Sequence, residues 1–207
     1  MYNETPSGPI KPTPLIGVLG LIEKTPLKPQ MISSGDELIL VGATKDELGG
    51  SEYLEYVHDF IGGVAPKINL DESKKNMHAV LSLIRSGKIK AAHDCAKGGL
   101  AIAVSELCMT SKIGCKISLD RVPNQNLDDA GILFSESHSR YLLVVDKSNL
   151  SPVLAELTKS NTTHSHIGTF SANQIIFSNK ENQVANLMVD KAHEKWFNSL
   201  RDLVLHA

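Results

Sequence analysis

The sequence predicts an α+β fold: a layered, mixed β-sheet with helices, preceded by an extended N-terminal arm and strand. Three observations carry this. Strand-like apolar runs and helix-like stripes alternate irregularly, unlike the regular βαβ repeat of a parallel sheet. Residues 166–170 and 175–177 flank the short turn Ser171-Ala172-Asn173 and suggest a pair of strands there. A chain of 207 residues, 42% hydrophobic and 21% charged, can bury an ordinary core as one large domain or one domain with an attached piece.

The first 30 residues stand apart. Pro6, Pro9, Pro12 and Pro14 forbid regular helix and favour extended backbone. Residues 15–22 then read as a strand without a sheet of its own, and a second proline-bearing connector follows at 25–29. The globular pattern begins at Gly35. Residues 37–42 are a buried strand, and Gly49-Gly50-Ser51 opens a short helix to about Phe60 with Ser51 as its cap. Asn69 caps a helix whose apolar stripe is Met77, Val80, Leu81 and Ile84, ending at Ser86-Gly87. An apolar run, 89–92, delivers His93-Asp94. After Gly98-Gly99 a helix carries Leu100, Val104, Leu107 and Cys108 on one face. Strands follow at 115–119 and 140–145. A helix over about 148–160 shows Leu150, Val153, Leu154 and Leu157, and a last helix capped by Asp190 aligns Ala192, Trp196, Leu200 and Leu203.

The net charge of −2 carries no footprint for nucleic acid or an anionic membrane. No apolar run reaches the length of a membrane span, and the N-terminus lacks a basic-then-apolar signal pattern. Cys95, Cys108 and Cys115 form neither a CxxC pair nor an even disulfide framework, so a reducing, cytoplasmic setting is expected. Cys108 and Cys115 read as small core residues; Cys95, in the turn, reads as the more exposed of the three.

Four segments suggest chemistry. His93-Asp94 through Gly98-Gly99 is a strand, a tight glycine turn and a helix N-terminus, where backbone N–H groups can face an anion. Asp94 there can order amides, cap the helix or bind a metal, and glycines chosen for turn geometry are the plainer reading. Gly49, Gly50 and Ser51 repeat the glycine-pair pattern, and the two turns together can build one phosphate or loop-docking surface. In Phe134-Ser135-Glu136-Ser137-His138-Ser139-Arg140, Arg140 either pairs with Glu136 or grips a phosphate through its planar fork. Ser137 belongs to the same polar cluster. Asn3 and Glu4, in the arm, are the fourth candidate, against an exposed terminus. His164 and His166 alternate on a strand and can share a face, but no third metal ligand is visible, and no Ser-His-Asp triad can be assembled.

Taken together, Tyr2-Asn3-Glu4-Thr5, the run Pro12 to Gly20, Glu47-Leu48-Gly49-Gly50-Ser51-Glu52-Tyr53, His93-Asp94 through Leu100 and the Leu133 to Arg140 segment resemble one family. It is the synthetase of phosphoribosylformylglycinamidine synthase (formylglycinamide ribonucleotide amidotransferase), in the aminoimidazole ribonucleotide synthetase superfamily. The His-Asp and Gly-Gly turn is shared across that superfamily; the Gly49-Gly50-Ser51-Glu52-Tyr53 and Phe134-Ser135-Glu136-Ser137 to Arg140 segments point to the amidotransferase. The resemblance covers essentially the whole chain. It implies a fold like the C-terminal domain of aminoimidazole ribonucleotide synthetase over 31–207, with 1–30 a remnant of a preceding ATP-binding domain and linker. It also implies an ATP-dependent ligase step in purine synthesis, in which the formylglycinamide oxygen is phosphorylated and ammonia displaces the phosphate. ATP and Mg²⁺ serve the full enzyme, which includes a glutaminase subunit and a small accessory subunit.

No residue here matches the family's catalytic histidine, nucleotide lysine or Mg²⁺-binding acids, which belong upstream. The expectation is therefore a C-terminal part that is inactive alone, holds no tightly bound cofactor and has no catalytic or metal residue of its own. Asp94, Gly98, Gly99, Gly49, Gly50, Ser51, Ser137 and Arg140 remain the phosphate- or ligand-binding candidates. A stand-alone phosphate- or nucleotide-binding module and a structural assembly domain are the alternatives. Self-association through the unpaired apolar run 15–22 is expected as well.

Overall fold

The computed structural model describes residues 3–6, 8–10, 14–22 and 27–205, the side chain of Asp202 excepted. Tyr2, Pro12, Thr13, Thr25 and His206 lie outside the described residues. The elements are β1 (Glu4–Thr5), β2 (Gly8–Pro9), β3 (Glu37–Val41), α1 (Glu52–His58), α2 (Leu70–Ser86), β4 (Ala91–Asp94), α3 (Gly99–Ser111), β5 (Cys115–Ser118), α4 (Asp129–Phe134), β6 (Tyr141–Val145), α5 (Leu150–Lys159), β7 (His164–Phe170), β8 (Gln174–Asn179), β9 (Asn182–Met188) and α6 (Val189–Leu205). β1 and β2 pair with each other in the arm. The other strands form one seven-stranded mixed sheet, ordered β4-β6-β3-β7-β5-β8-β9. Every contact in it is antiparallel except β5 with β8. The α+β expectation holds.

β3 is buried at every position because helices cover both faces of the sheet. Successive side chains point to opposite faces. Leu38 and Leu40 therefore join Leu142, Val144 and the α3 residues Leu100, Val104 and Leu107 on one side. Ile39 and Val41 join Leu143, Val145 and residues of α2 and α5 on the other. A strand covered on both sides reads as an unbroken apolar run rather than an alternation.

The helix starts follow local chemistry. Ser51 caps α1 by accepting from Leu54 N at 3.3 Å, and Asn69 caps α2 by accepting from Glu72 N at 3.0 Å. Gly87, left-handed at φ 71°, ends α2.

Several expectations need correction. Residues 14–22 form no strand, and Leu15, Ile16, Val18, Leu19, Leu21 and Ile22 stay exposed. An extended run becomes a strand only beside a partner, and the described residues offer it none. On α2 the buried face is Asn76, Ala79, Val80 and Leu83, while Met77 and Leu81 face outward. The apolar pattern misplaced that face because it contains a polar residue: Asn76 Nδ2 donates to Ser139 O at 3.0 Å. β7 and β8 do not pair, since β5 lies between them. Residues 171–173 wrap around Gly114, whose N–H donates to Ala172 O at 2.9 Å and whose carbonyl accepts from Ser171 N at 2.8 Å. A Cβ on Gly114 would lie 2.1 Å from Gln174 O, so only glycine lets the two backbones pass. The hairpin is instead β8–β9, and β9 went unforeseen because its Asn182-Gln183-Val184-Ala185-Asn186 run is mostly polar. α6 begins at Val189, placing Asp190 in its first turn rather than at its cap. Its stripe is no core face either: Trp196, Leu200 and Leu203 are exposed. Cys95 is the most exposed of the three cysteines, as expected, yet at 7% against 0% for Cys108 and Cys115 it is still buried, and burial pushes its thiol up to about 11.

Candidate functional site

Both glycine turns and the Ser-Glu-Ser segment converge. Gly98, left-handed at φ 75°, sits at the N-cap of α3 with no side-chain cap of its own. The Gly98 N–H donates instead to Glu136 Oε1 at 2.8 Å, and the Glu52 N–H at the start of α1 donates to the same oxygen at 2.9 Å. One carboxylate oxygen thus meets two helix N-termini, the place where partial positive charge collects. The anion expected at the turns is a side chain of the protein itself.

Side-chain alternation in residues 135–137 explains how Glu136 gets there. Ser135 and Ser137 turn inward along residues 45–47. Ser135 Oγ accepts from Glu47 N at 3.4 Å, and Ser137 Oγ accepts from Lys45 N at 2.9 Å. Glu136 N also donates to Glu47 O at 3.1 Å. Gly99 lets this segment approach α3: at φ 65°, a Cβ would stand 2.7 Å from Ser135 O and 2.8 Å from Leu133 O. Gly49 does the same for the loop after α1, where a Cβ would fall 2.1 Å from Val64 O. Gly50, at φ 71°, faces open space and serves the turn, with its N–H bonded to Gly62 O at 2.8 Å.

Arg140 lies beneath this junction at 1% exposure. Its Nε donates to Ser137 O at 3.1 Å, its Nη1 to Thr44 Oγ1 at 3.0 Å, and its Nη2 to Ser135 O. The guanidinium therefore holds the Ser-Glu-Ser backbone rather than pairing with Glu136. Burial lowers its pKa, with the charges around it acting in the other direction. Beside it opens a cavity of about 360 Å³ lined by Asp94, Lys97, Glu136, His138, Arg140 and Tyr141, among others. Asp94 and His138 are exposed on it. Lys97 is exposed too and pairs with Glu52, a hydrogen bond that raises its pKa.

Of the candidates, Asp94 and Arg140 share the cavity, while Gly98 and the Ser51-capped helix meet at Glu136. Ser137 points away toward Lys45. The sequence suggests Glu136 only as a partner for Arg140; its place between two serines, with its side chain on the opposite side of an extended segment, is the signal that marks it. The amide that would cradle a phosphate is already bonded to Glu136. Among the described residues no three His, Cys, Asp or Glu side chains gather to hold a metal ion. His166 bonds Glu37 Oε2 at 2.8 Å, and His164 bonds Thr162 O at 2.7 Å. These residues do not fit Mg²⁺ by themselves.

A seven-stranded mixed sheet between helical layers, with a glycine-opened helix clamped by a Ser-Glu-Ser segment, defines a layered α+β domain of one superfamily. Residues 33–178 match the family described as AIR synthase related protein, C-terminal domain, and the chain belongs to that family. A curated relative, the phosphoribosylformylglycinamidine synthase subunit PurL of Methanococcus aeolicus, is 37% identical over 208 residues, covering 99% of this chain and 28% of the relative. The subunit of the same name from Alkaliphilus metalliredigens is 36% identical, covering 98% of this chain and 27% of the relative. The chain thus spans about a quarter of the length of these relatives. Among solved structures, Thermotoga maritima PurL complexed with FGAR superposes with a TM-score of 0.73 at 20% identity, over 81% of this chain and 29% of that one. The hydrogenase maturation protein HypE of E. coli does so at 0.58 and 17% identity, over 78% of this chain and 51% of that one. These two likenesses show the fold, and the motif resemblance agrees with the family.

Proposed function

We propose that this chain is the C-terminal domain of the ligase that converts formylglycinamide ribonucleotide, ATP and glutamine-derived ammonia to formylglycinamidine ribonucleotide, ADP and phosphate. One observation supports this most. Three of the segments that resemble the family, remote in sequence, meet at the Glu136 carboxylate beside one cavity. The relatives named for that synthase align along nearly the whole chain. Thermotoga maritima neighbours are described as complexes with FGAR and with ATP. Another is described as PurLQS, which supports a setting among further subunits.

In this reading residues 31–207 form one wall of a site. The remainder of the synthetase, with which residues 1–30 belong, supplies the nucleotide, Mg²⁺ and catalytic groups. Asp94 and Arg140 act as its ligand-facing and backbone-holding members, and Gly49, Gly50, Ser51, Gly98, Gly99 and Ser137 shape the junction. A glutaminase subunit and a small accessory subunit complete the cytoplasmic enzyme. The exposed apolar run of residues 15–22 drives self-association when left uncovered.

Purified chain supplied with formylglycinamide ribonucleotide, ATP, Mg²⁺ and ammonia is expected to form no amidine. Amidine formation by the chain alone overturns the proposal. In a synthetase reconstituted with this domain, Asp94→Ala is expected to lower the rate at least about tenfold, the scale of a lost positioning contact. The stand-alone module predicts tight calorimetric binding of ADP or ATP by the isolated chain. The occupied Gly98 amide speaks against that.

A further inference from the structure

Strand alternation sends the two members of the His93-Asp94 pair to different places. Asp94 lines the cavity beside the glycine turn, whereas His93 lines a second cavity of about 280 Å³ bounded by α3 and α6. Leu107, Met109 and Trp196 supply apolar walls there, and Glu106, His93 and His193 are polar groups on it. His93 Nε2 bonds Glu106 Oε2 at 2.8 Å, and the Glu106 side chain keeps 39% of its exposure. A carboxylate has about four acceptor positions, so one imidazole contact leaves capacity for an incoming donor. The Trp196 ring is exposed, and His193 is held close by, stacked on Phe197 with centroids 5.7 Å apart.

We infer that this second cavity binds a small planar heteroaromatic ring carrying N–H donors, an aminated base without its phosphates. Flat apolar walls with an indole suit an aromatic face, and Glu106 requires donors rather than acceptors on the ring edge. The volume, about 280 Å³, is at the lower bound of small-molecule pockets and has room for one ring system. Among the described residues no lysine or arginine lines it, so it offers a phosphate no permanent counter-charge. The site is separate from the Glu136 junction and does not depend on the ligase reading.

Trp196 is the sole tryptophan of the chain, so intrinsic fluorescence excited at the red edge reports this cavity alone. Adenine is the probe, with toluene as a ring of similar flatness lacking donors. Adenine is expected to change the emission saturably in the millimolar range or below, and toluene is not. Glu106→Ala should weaken adenine at least about tenfold, with Glu106→Leu, which also lacks an acceptor, as the second variant should the first lose its far-UV dichroism. Calorimetry on Trp196→Phe checks that the signal is binding. Either absence of a saturable change with adenine or equal affinity in the folded Glu106 variants overturns the inference, as does toluene binding as well as adenine.

Discussion

Replacing Glu136 tests the junction directly. In the native protein its Oε1 accepts from Gly98 N at 2.8 Å and from Glu52 N at 2.9 Å. A hydrogen bond to a charged acceptor contributes about 1.5–3 kcal/mol, and a carboxylate at a helix N-terminus about 0.3–1 kcal/mol. The side chain is only half-buried and the freed amides regain some water, so the sum must be discounted. Glu136→Ala is expected to cost about 2–3 kcal/mol, and Glu136→Gln, which keeps a carbonyl oxygen, about 1 kcal/mol. For a chain of this size that is a fall in Tm of about 4–12 °C for alanine. Urea unfolding followed by circular dichroism gives the free energy, and hydrogen exchange gives its location. The Gly98 and Glu52 amides should exchange faster in both variants, while amides within β3 should not. An alanine variant within about 0.5 kcal/mol of the parent, with both amides unchanged, would refute the junction.

Two glycines with similar angles should respond differently. Gly99→Ala must displace Ser135 O and Leu133 O as well as hold φ 65°, and should cost more than about 3 kcal/mol, whereas Gly50→Ala, at φ 71° in open space, should cost about 1 kcal/mol; equal losses in urea midpoints would show that the close approach is not there. Arg140→Met leaves two buried carbonyls and Thr44 without their donor and should cost about 3–5 kcal/mol by the same denaturation assay, with a near-neutral result excluding its backbone-holding role. Cysteine ionisation sets an alkaline limit. Burial raises Cys95 to about 11 and Cys108 to about 12, from 9.0, and Cys115 in the same direction. Between pH 9 and about 11 the unfolded thiols lose protons that the native ones keep, so the native state binds more and stability must fall as pH rises. Urea midpoints at pH 8, 9 and 10 should decline, and a flat or rising series contradicts the burial.

What the sequence revealed depended on whether one face or one period told the whole story. β3, α3 and α5 were legible because their apolar residues are the ones that pack. The face of α2 was not, since Asn76 is buried for a contact with Ser139 that lies 63 positions away. β9 and the strand order were hidden for a related reason. Pairing β5 between β7 and β8 rests on the bare backbone of Gly114, which leaves no periodicity to read. The candidate site was half visible. Both glycine turns announced positive-φ geometry, but their shared partner was Glu136, and only a fold that brings residues 47–52, 97–99 and 133–137 together could show it.

The strand order has a consequence for how the chain is made. β3 pairs with β6 and β7, so its first strand neighbours are a hundred residues or more away in the chain. At ordinary translation speeds the ribosome needs on the order of ten seconds between completing β3 and completing β7. For most of that interval, until β6 is made, the run Leu38-Ile39-Leu40-Val41 has neither of its flanking strands, and afterwards it has only one. Folding is then slow in the manner of non-local topologies, and a nascent chain halted before β7 holds an uncovered apolar edge ready to aggregate.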